Sequence, residues 1–104
     1  MTVALTPRQR QYLKALAHPL APVVQVGTAG VTDSVVTAVD EALERHELIK
    51  VKVGKALAAD RTDTATDLAK RSGAQICQII GRVLVLYRRR VHAEPTIRLP
   101  TQAA

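Results

Sequence analysis

Hydrophobic residues along the chain follow two spacings, one typical of helices and one typical of strands. Across residues 32–46 they recur every three or four positions, which predicts the buried side of an amphipathic helix capped by Thr32 or Asp33; they are Val35, Val36, Val39, Ala42 and Leu43. Across residues 48–53 the side chains alternate, with Ile49, Val51 and Val53 on one side and Leu48, Lys50 and Lys52 on the other. This alternation predicts a half-buried strand that carries Lys50 and Lys52 on its exposed side.

The first helix is predicted mainly from the residues at its ends. Thr6 can cap it, Pro7 suits the first helical position, and Gln9 completes a capping box. His18 precedes Pro19 and therefore avoids the helical region, so we expect the helix to end near residue 17.

A third helix and three further strands complete the set of predicted elements. The helix is expected from about residue 58 to residue 72, where Gly73 ends it. The dipeptide Gly81-Arg82 has glycine first and predicts a tight hairpin turn between the last two strands. The remaining strands are expected at residues 23–26, 74–80 and 83–87.

The order helix, strand, helix, strand, helix, strand, strand predicts an α/β (α+β) fold. We expect one mixed four-stranded sheet with three packed helices, spanning residues 1–90 as a single domain. Two right-handed strand–helix–strand units should pair their strands in parallel, and the hairpin should add an antiparallel strand. Residues 91–104 contain Pro95 and Pro100 and are expected to form an extended or partly disordered tail.

Composition adds constraints on the interior and on location. The 104 residues include no Phe or Trp, so Val, Leu, Ile and Ala must fill the core. The single Cys77 lies in an apolar run and is expected to be a buried, inert thiol. The sequence shows no signal peptide and no apolar stretch of membrane-spanning length, which predicts a cytoplasmic protein without a membrane partner.

The net charge of +6 is unevenly distributed along the chain. Basic residues concentrate in the first helix, in residues 48–59 and in residues 73–90, whereas the second helix is acidic on its exposed side. A basic excess on a small domain suggests a polyanionic partner, although it also aids solubility. Segregation of the charge favours an oriented site for a polyanion.

The loop Gly27-Thr28-Ala29-Gly30 lies between a predicted strand and a predicted helix. Glycines around two small residues allow the backbone to approach a sugar–phosphate chain, and the following helix offers unpaired N–H groups to a phosphate. A GxxG loop of this kind clamps RNA backbone in the KH module, but the same pattern also forms plain tight turns. The loop matches neither a Walker A motif nor a dinucleotide-binding motif.

Several segments in order resemble the CRM domain family (chloroplast RNA splicing and ribosome maturation), and most closely its bacterial stand-alone members of YhbY type. The resemblance covers roughly residues 5–100. Its segments are residues 13–20, Pro22-Val23-Val24 with Val26-Gly27 and Gly30, residues 46–52, and Ile80-Gly81 with residues 84–88.

The resemblance implies a non-enzymatic RNA-binding protein with a fold related to the C-terminal domain of translation initiation factor 3. It further implies association with rRNA in precursors of the large ribosomal subunit. Loops of relatives often carry a basic or amide residue between the glycines, where this chain has Thr28 and Ala29. Affinity must therefore depend on basic residues elsewhere; the candidates are Arg10, Lys14, Lys50, Lys52, Lys55, Arg82 and Arg88.

Two other functions remain open at this point: regulatory binding of another cellular RNA, and a protein-binding adaptor that uses the acidic second helix. The run Arg88-Arg89-Arg90 is equally compatible with phosphate contact and with a solvated end. Glu47 is expected to be a solvated charge. His18, His46 and His92 match no metal-ligand or catalytic spacing, so we expect no metal, cofactor or small-molecule substrate, and a monomeric protein.

Overall fold

A computed structural model of the chain describes residues 5–55, 60–90, 92, 94, 95 and 97–99. The described residues form three helices and four strands in the predicted order, with a single mixed sheet. The elements are α1 (Pro7–Ala17), β1 (Pro22–Val26), α2 (Asp33–His46), β2 (Leu48–Val53), α3 (Arg61–Ser72), β3 (Gln75–Ile80) and β4 (Val83–Tyr87).

The helices begin where side chains satisfy their first backbone N–H groups. Thr6 forms the predicted capping box with Gln9 at the start of α1, and Thr32 caps α2. Asp60 caps α3, which therefore begins after the predicted residue 58; residues 58 and 59 lie outside the described part of the chain. Gly73 ends α3 in the left-handed conformation, at φ 72°.

The strand order is β1-β2-β4-β3, which corrects one prediction. β1 and β2 pair in parallel as expected, but β2 and β3 do not pair, because β4 lies between them and is antiparallel to both. The physical reason is the composition of β4, whose residues 84–87 are all buried. A strand that is apolar on both faces is best placed in the interior of a sheet, while β3, with Gln75 and Gln78, takes an edge.

Two hydrophobic clusters lie on opposite faces of the sheet. Helices α2 and α3 cover one face, where Val39, Leu43 and Leu68 meet the apolar side chains of the strands. Helix α1 covers part of the other face through Leu13 and Ala17. Ile97 and Leu99 of the tail pack against this second cluster, so the described tail residues return to the sheet although they form no helix or strand.

Part of the face under α1 stays open to solvent. Cross-strand partners share a face, and the register aligns Gln25 with Lys52, Lys52 with Val83, and Val83 with Ile80. Gln25 and Lys52 are exposed, and Ile80 is 49% exposed. The open strip lies at the end of the sheet where the loop between β1 and α2 begins.

Candidate nucleic-acid interface

The loop of residues 27–30 forms a closed turn with an accessible tip. The Gly30 N–H donates to the Gly27 carbonyl at 3.0 Å, and Gly30 has a φ of 76°, which favours glycine. Thr28 and Ala29 are exposed. A Cβ added to Gly27 would have no heavy atom within 4 Å apart from its chain neighbours. The backbone of the tip is therefore open to a large ligand.

Arg71 of α3 fixes the segment that follows the loop. Its Nη1 donates to the Val31 carbonyl at 2.7 Å, and its Nη2 pairs with the Asp33 carboxylate at 2.8 Å. The pairing offsets a negative charge in the first turn of α2 that would otherwise repel an anion at that helix end. Arg71 carries no local signal of this role in the sequence, because its partners lie about 40 residues away.

Basic side chains gather around the loop at the same end of the sheet. β1 and β2 are parallel and end together, where the Gly54 N–H donates to the Val26 carbonyl at 2.9 Å. The Val53 N–H donates to the Arg82 carbonyl at 2.7 Å, which brings the hairpin turn to this end. Lys55 and Arg82 are exposed, and neither has a salt bridge to any residue that the structure describes.

The two lysines of β2 differ in their surroundings. Lys52 is exposed and has no hydrogen bond or salt bridge within the described ranges. Lys50 is partly buried, and its Nζ donates to the His18 carbonyl at 3.2 Å, just beyond the end of α1. Lys52 is thus available to a ligand, whereas Lys50 also stabilises the junction between α1 and β1.

Arg10 and Lys14 lie on α1 near the middle of β3. Burial raises the pKa of the Cys77 thiol to about 12, and the positive charges of Arg10 and Lys14 oppose this shift, so both side chains lie near Cys77. The thiol is buried and protonated at neutral pH, as expected of an inert cysteine. Together with the β2 lysines, these residues give the α1 side of the sheet a basic character.

Arg88 occupies the opposite end of the sheet and is engaged within the protein. Its side chain is only 15% exposed, and Nη1 contacts the Asp40 carboxylate at 2.5 Å and the Ser72 carbonyl at 2.7 Å. It therefore ties α2 and α3 to the end of β4. We exclude Arg88 from the candidate interface for this reason.

Arg89 and Arg90, the other two arginines of the run, extend in different directions. Nε of Arg90 donates to the Glu44 carbonyl at 2.9 Å, whereas Arg89 is exposed and has no hydrogen bond or salt bridge to the described residues. Consecutive residues of an extended segment alternate in direction, so Arg89 is exposed while Arg88 and Arg90 are partly buried. The run is neither a uniform phosphate-binding stretch nor a solvated end.

Glu47 was expected to be a solvated charge, and this prediction was wrong. The residue is fully buried at the junction of α2 and β2, with a φ of 64°. Its carboxylate accepts from the backbone N–H of Arg90 at 3.2 Å and of Ile97 at 3.0 Å. A buried carboxylate requires such donors, so Glu47 fixes the path of the chain beyond β4. No local pattern in the sequence indicates donors some 50 residues away.

The described residues contain no group of three or more His, Cys, Asp or Glu side chains that could hold a metal ion. His18, His46 and His92 are all exposed. None of the helices in the described part of the chain is long and apolar enough to cross a membrane.

Comparison with known proteins connects this arrangement to a family. The family model of the CRS1/YhbY (CRM) domain matches residues 5–88. The chain is 44% identical over 84 residues to the protein of Bacillus subtilis named probable RNA-binding protein YqeI, covering 81% of this chain and 88% of that one. It is 42% identical over 96 residues to a protein of Haemophilus influenzae named RNA-binding protein, covering 92% and 95%.

A solved structure shares the fold. The solution structure of the hypothetical protein SAV1595 from Staphylococcus aureus, described as a candidate RNA-binding protein, superimposes with a TM-score of 0.79 at 34% sequence identity. The similarity covers 93% of this chain and 100% of that one.

The contacts of Arg88 generate a prediction about stability. Arg88→Ala should lower the free energy of unfolding by about 1–3 kcal/mol, because it removes charge-assisted hydrogen bonds and leaves their acceptors unpaired. Arg89→Ala, the matched control on the adjacent exposed residue, should change it by no more than about 0.5 kcal/mol. Urea unfolding of both variants measures the difference. Equal stabilities would contradict a structural role for Arg88.

Proposed function

We propose that this chain, which belongs to the CRS1/YhbY (CRM) domain family, is a non-enzymatic RNA-binding protein. The observation that carries the proposal is that Lys52, Lys55 and Arg82, which are exposed and form no salt bridge within the described residues, surround an accessible glycine-bounded loop at one end of the sheet. The names of its relatives, which describe RNA binding, support the same conclusion. The proposed contacts come from residues 27–30 and from Arg10, Lys14, Lys50, Lys52, Lys55 and Arg82.

The proposed mode of binding is recognition of the RNA backbone. Readers of single-stranded bases stack them on aromatic side chains, but this chain has only Tyr12 and Tyr87. Tyr12 lies on α1 and Tyr87 is buried in the second cluster, so they do not form a platform. Lysine and arginine contacts to phosphates carry no direct sequence information. We therefore propose binding that depends on RNA shape and charge.

In this proposal the loop positions a phosphate and the surrounding cations supply most of the affinity. Thr28 and Ala29 carry no charge, but the exposed tip lets an RNA strand approach the backbone and the start of α2. Lys52, Lys55 and Arg82 surround that approach. This division of roles agrees with the absence of a basic residue between the glycines.

The proposed client is rRNA in precursors of the large ribosomal subunit, bound by a monomer in the cytoplasm. Its support is the family resemblance. Regulatory binding of another RNA would use the same surface. A protein adaptor acting through α2 is less favoured, because Asp40 pairs with Arg88 and Asp33 pairs with Arg71. Those carboxylates are already partly neutralised within the protein.

Backbone recognition predicts a strong dependence of RNA affinity on salt. Each phosphate contact releases counterions, so the logarithm of the association constant should fall linearly with the logarithm of salt concentration. Contacts from Arg10, Lys14, Lys52, Lys55 and Arg82 to single-stranded RNA correspond to a slope of about −3.5 or steeper. Fluorescence anisotropy with a labelled RNA measures the slope. A slope near zero would contradict the proposal.

Substitution of Gly27 tests whether the loop contacts RNA. Gly27 has space for a side chain and lacks the positive φ of Gly30, so Gly27→Asp and Gly27→Asn should both fold with nearly unchanged stability. The two side chains are similar in size and differ in charge. Only Gly27→Asp should lose affinity strongly, about tenfold if the interaction lost is worth 1.4 kcal/mol.

Thermal melting and an RNA titration of both Gly27 variants provide the readouts. Equal affinities of the aspartate and asparagine variants, in proteins that melt like the parent, would mean that the loop is only a turn.

The proposed client predicts co-sedimentation with ribosomal precursors. In a sucrose gradient of lysate from the cells that make this protein, it should migrate with large-subunit precursors at low salt. It should move to the top of the gradient after ribonuclease treatment, because the attachment runs through RNA. Gly27→Asp serves as the matched control and should migrate mainly at the top. Migration of the parent with other RNA alone would support a different client.

A further inference from the structure

The tail places an arginine beside the far end of β4. Ile97 and Leu99 pack against the second hydrophobic cluster, and the Ile97 N–H donates to the buried Glu47 carboxylate at 3.0 Å. Arg98 lies between these two partly buried residues and is exposed. The anchoring of its neighbours on both sides therefore fixes the position from which the Arg98 side chain extends.

Arg89 reaches the same place from β4. It follows Tyr87 by two positions, and its charge opposes the rise in the pKa of the Tyr87 phenol that burial causes. A cavity of about 360 Å³ lies between β4 and the tail, lined by Tyr87, Arg89, Arg98 and Leu99 together with Glu94, Pro95 and Ile97. The lining residues include two arginines and one glutamate, so their net charge is positive.

Neither arginine forms a salt bridge within the described part of the chain. Arg88 and Arg90 are engaged with α2, but Arg89 and Arg98 have no salt bridge or hydrogen bond to the residues that the structure describes. Guanidinium groups bind phosphate oxygens through paired N–H donors, and two of them at one cavity make an effective phosphate site.

We propose that Arg89 and Arg98 form a second phosphate-binding site for RNA, at the end of the sheet opposite the GxxG loop. The inference rests on the proposed RNA-binding function and extends its footprint. Glu47 acts as a positioning residue, because it holds the tail segment that presents Arg98.

Helix α1 extends from the second site across the strands of the sheet. The Leu5 N–H donates to the Gln75 side chain at 2.9 Å, and Gln75 is the cross-strand partner of Tyr87, so α1 begins near the second site. The helix then carries Arg10 and Lys14 across the sheet, and the chain reaches Lys50 at His18. Lys52 follows Lys50 by two positions on the same side of β2, so basic side chains continue from the end of α1 toward the loop.

The test compares two double variants with the same change in net charge. Arg89→Gln/Arg98→Gln removes the proposed site, and Arg45→Gln/Lys70→Gln removes two exposed cations from α2 and α3. Binding of a long, mixed-sequence single-stranded RNA is measured over a range of salt concentrations. The first variant should lower the magnitude of the log–log slope by about 1.4, the value for two phosphate contacts. The control should keep the parental slope.

A third variant, Arg89→Lys/Arg98→Lys, retains the charge and should keep most of the slope. Thermal melting confirms that each variant is folded. If Arg89→Gln/Arg98→Gln binds like the control while the parent binds RNA with a steep slope, the second site is wrong and the proposed function stands. If the parent itself does not bind RNA, both are wrong.

Discussion

The burial of β4 between β2 and β3 determines where the charged residues of this domain lie. Residues 84–87 are buried, and a strand of this kind requires a neighbour on each side. Its position, antiparallel to β2, places Arg82, just before the strand, at the end of the sheet that holds the GxxG loop. The same position places Arg88 and Arg89, just after the strand, at the opposite end. One apolar strand thus separates the basic residues of a single hairpin into two groups.

Pairing within the protein then decides which charges remain available. Arg71 and Arg88 each join an acidic residue of α2 to another element, Arg71 from α3 and Arg88 from the end of β4. These contacts reduce the negative potential of the α2 side, and they engage Arg71 and Arg88 in ion pairs within the protein. The cations on the side of α1 have few such partners. Segregation of charge along the sequence therefore becomes segregation between two faces of one sheet, which is the arrangement that orients a polyanion.

The sequence was sufficient wherever the cause is local. Thr6 and Gln9 form a capping box within one turn of α1. The alternation in residues 48–53 is a property of the strand itself. The helices, the strands and the mixed sheet were therefore correctly predicted. The pairing of β2 with β4 was missed because it follows from competition among strands for the interior. The contacts of Glu47 and Arg88 within the protein were not predicted for a similar reason. Their partners are about 50 residues away, and a charged residue carries no local mark of the donors or acceptors that will surround it.

The uncharged loop depends on cations that other elements of the fold hold beside it. A basic side chain on a loop can adjust its position to many phosphates, whereas Thr28 and Ala29 leave only backbone for contact. Under the proposed function, the cations are then those held at set positions by other elements: Lys52 by the sheet, Arg82 by the hairpin turn, and Arg98 by the Glu47 carboxylate. Charges with fixed spacing favour RNA whose phosphates have the matching spacing, since a mismatch loses contacts. Discrimination by the shape of folded RNA therefore requires no reading of bases.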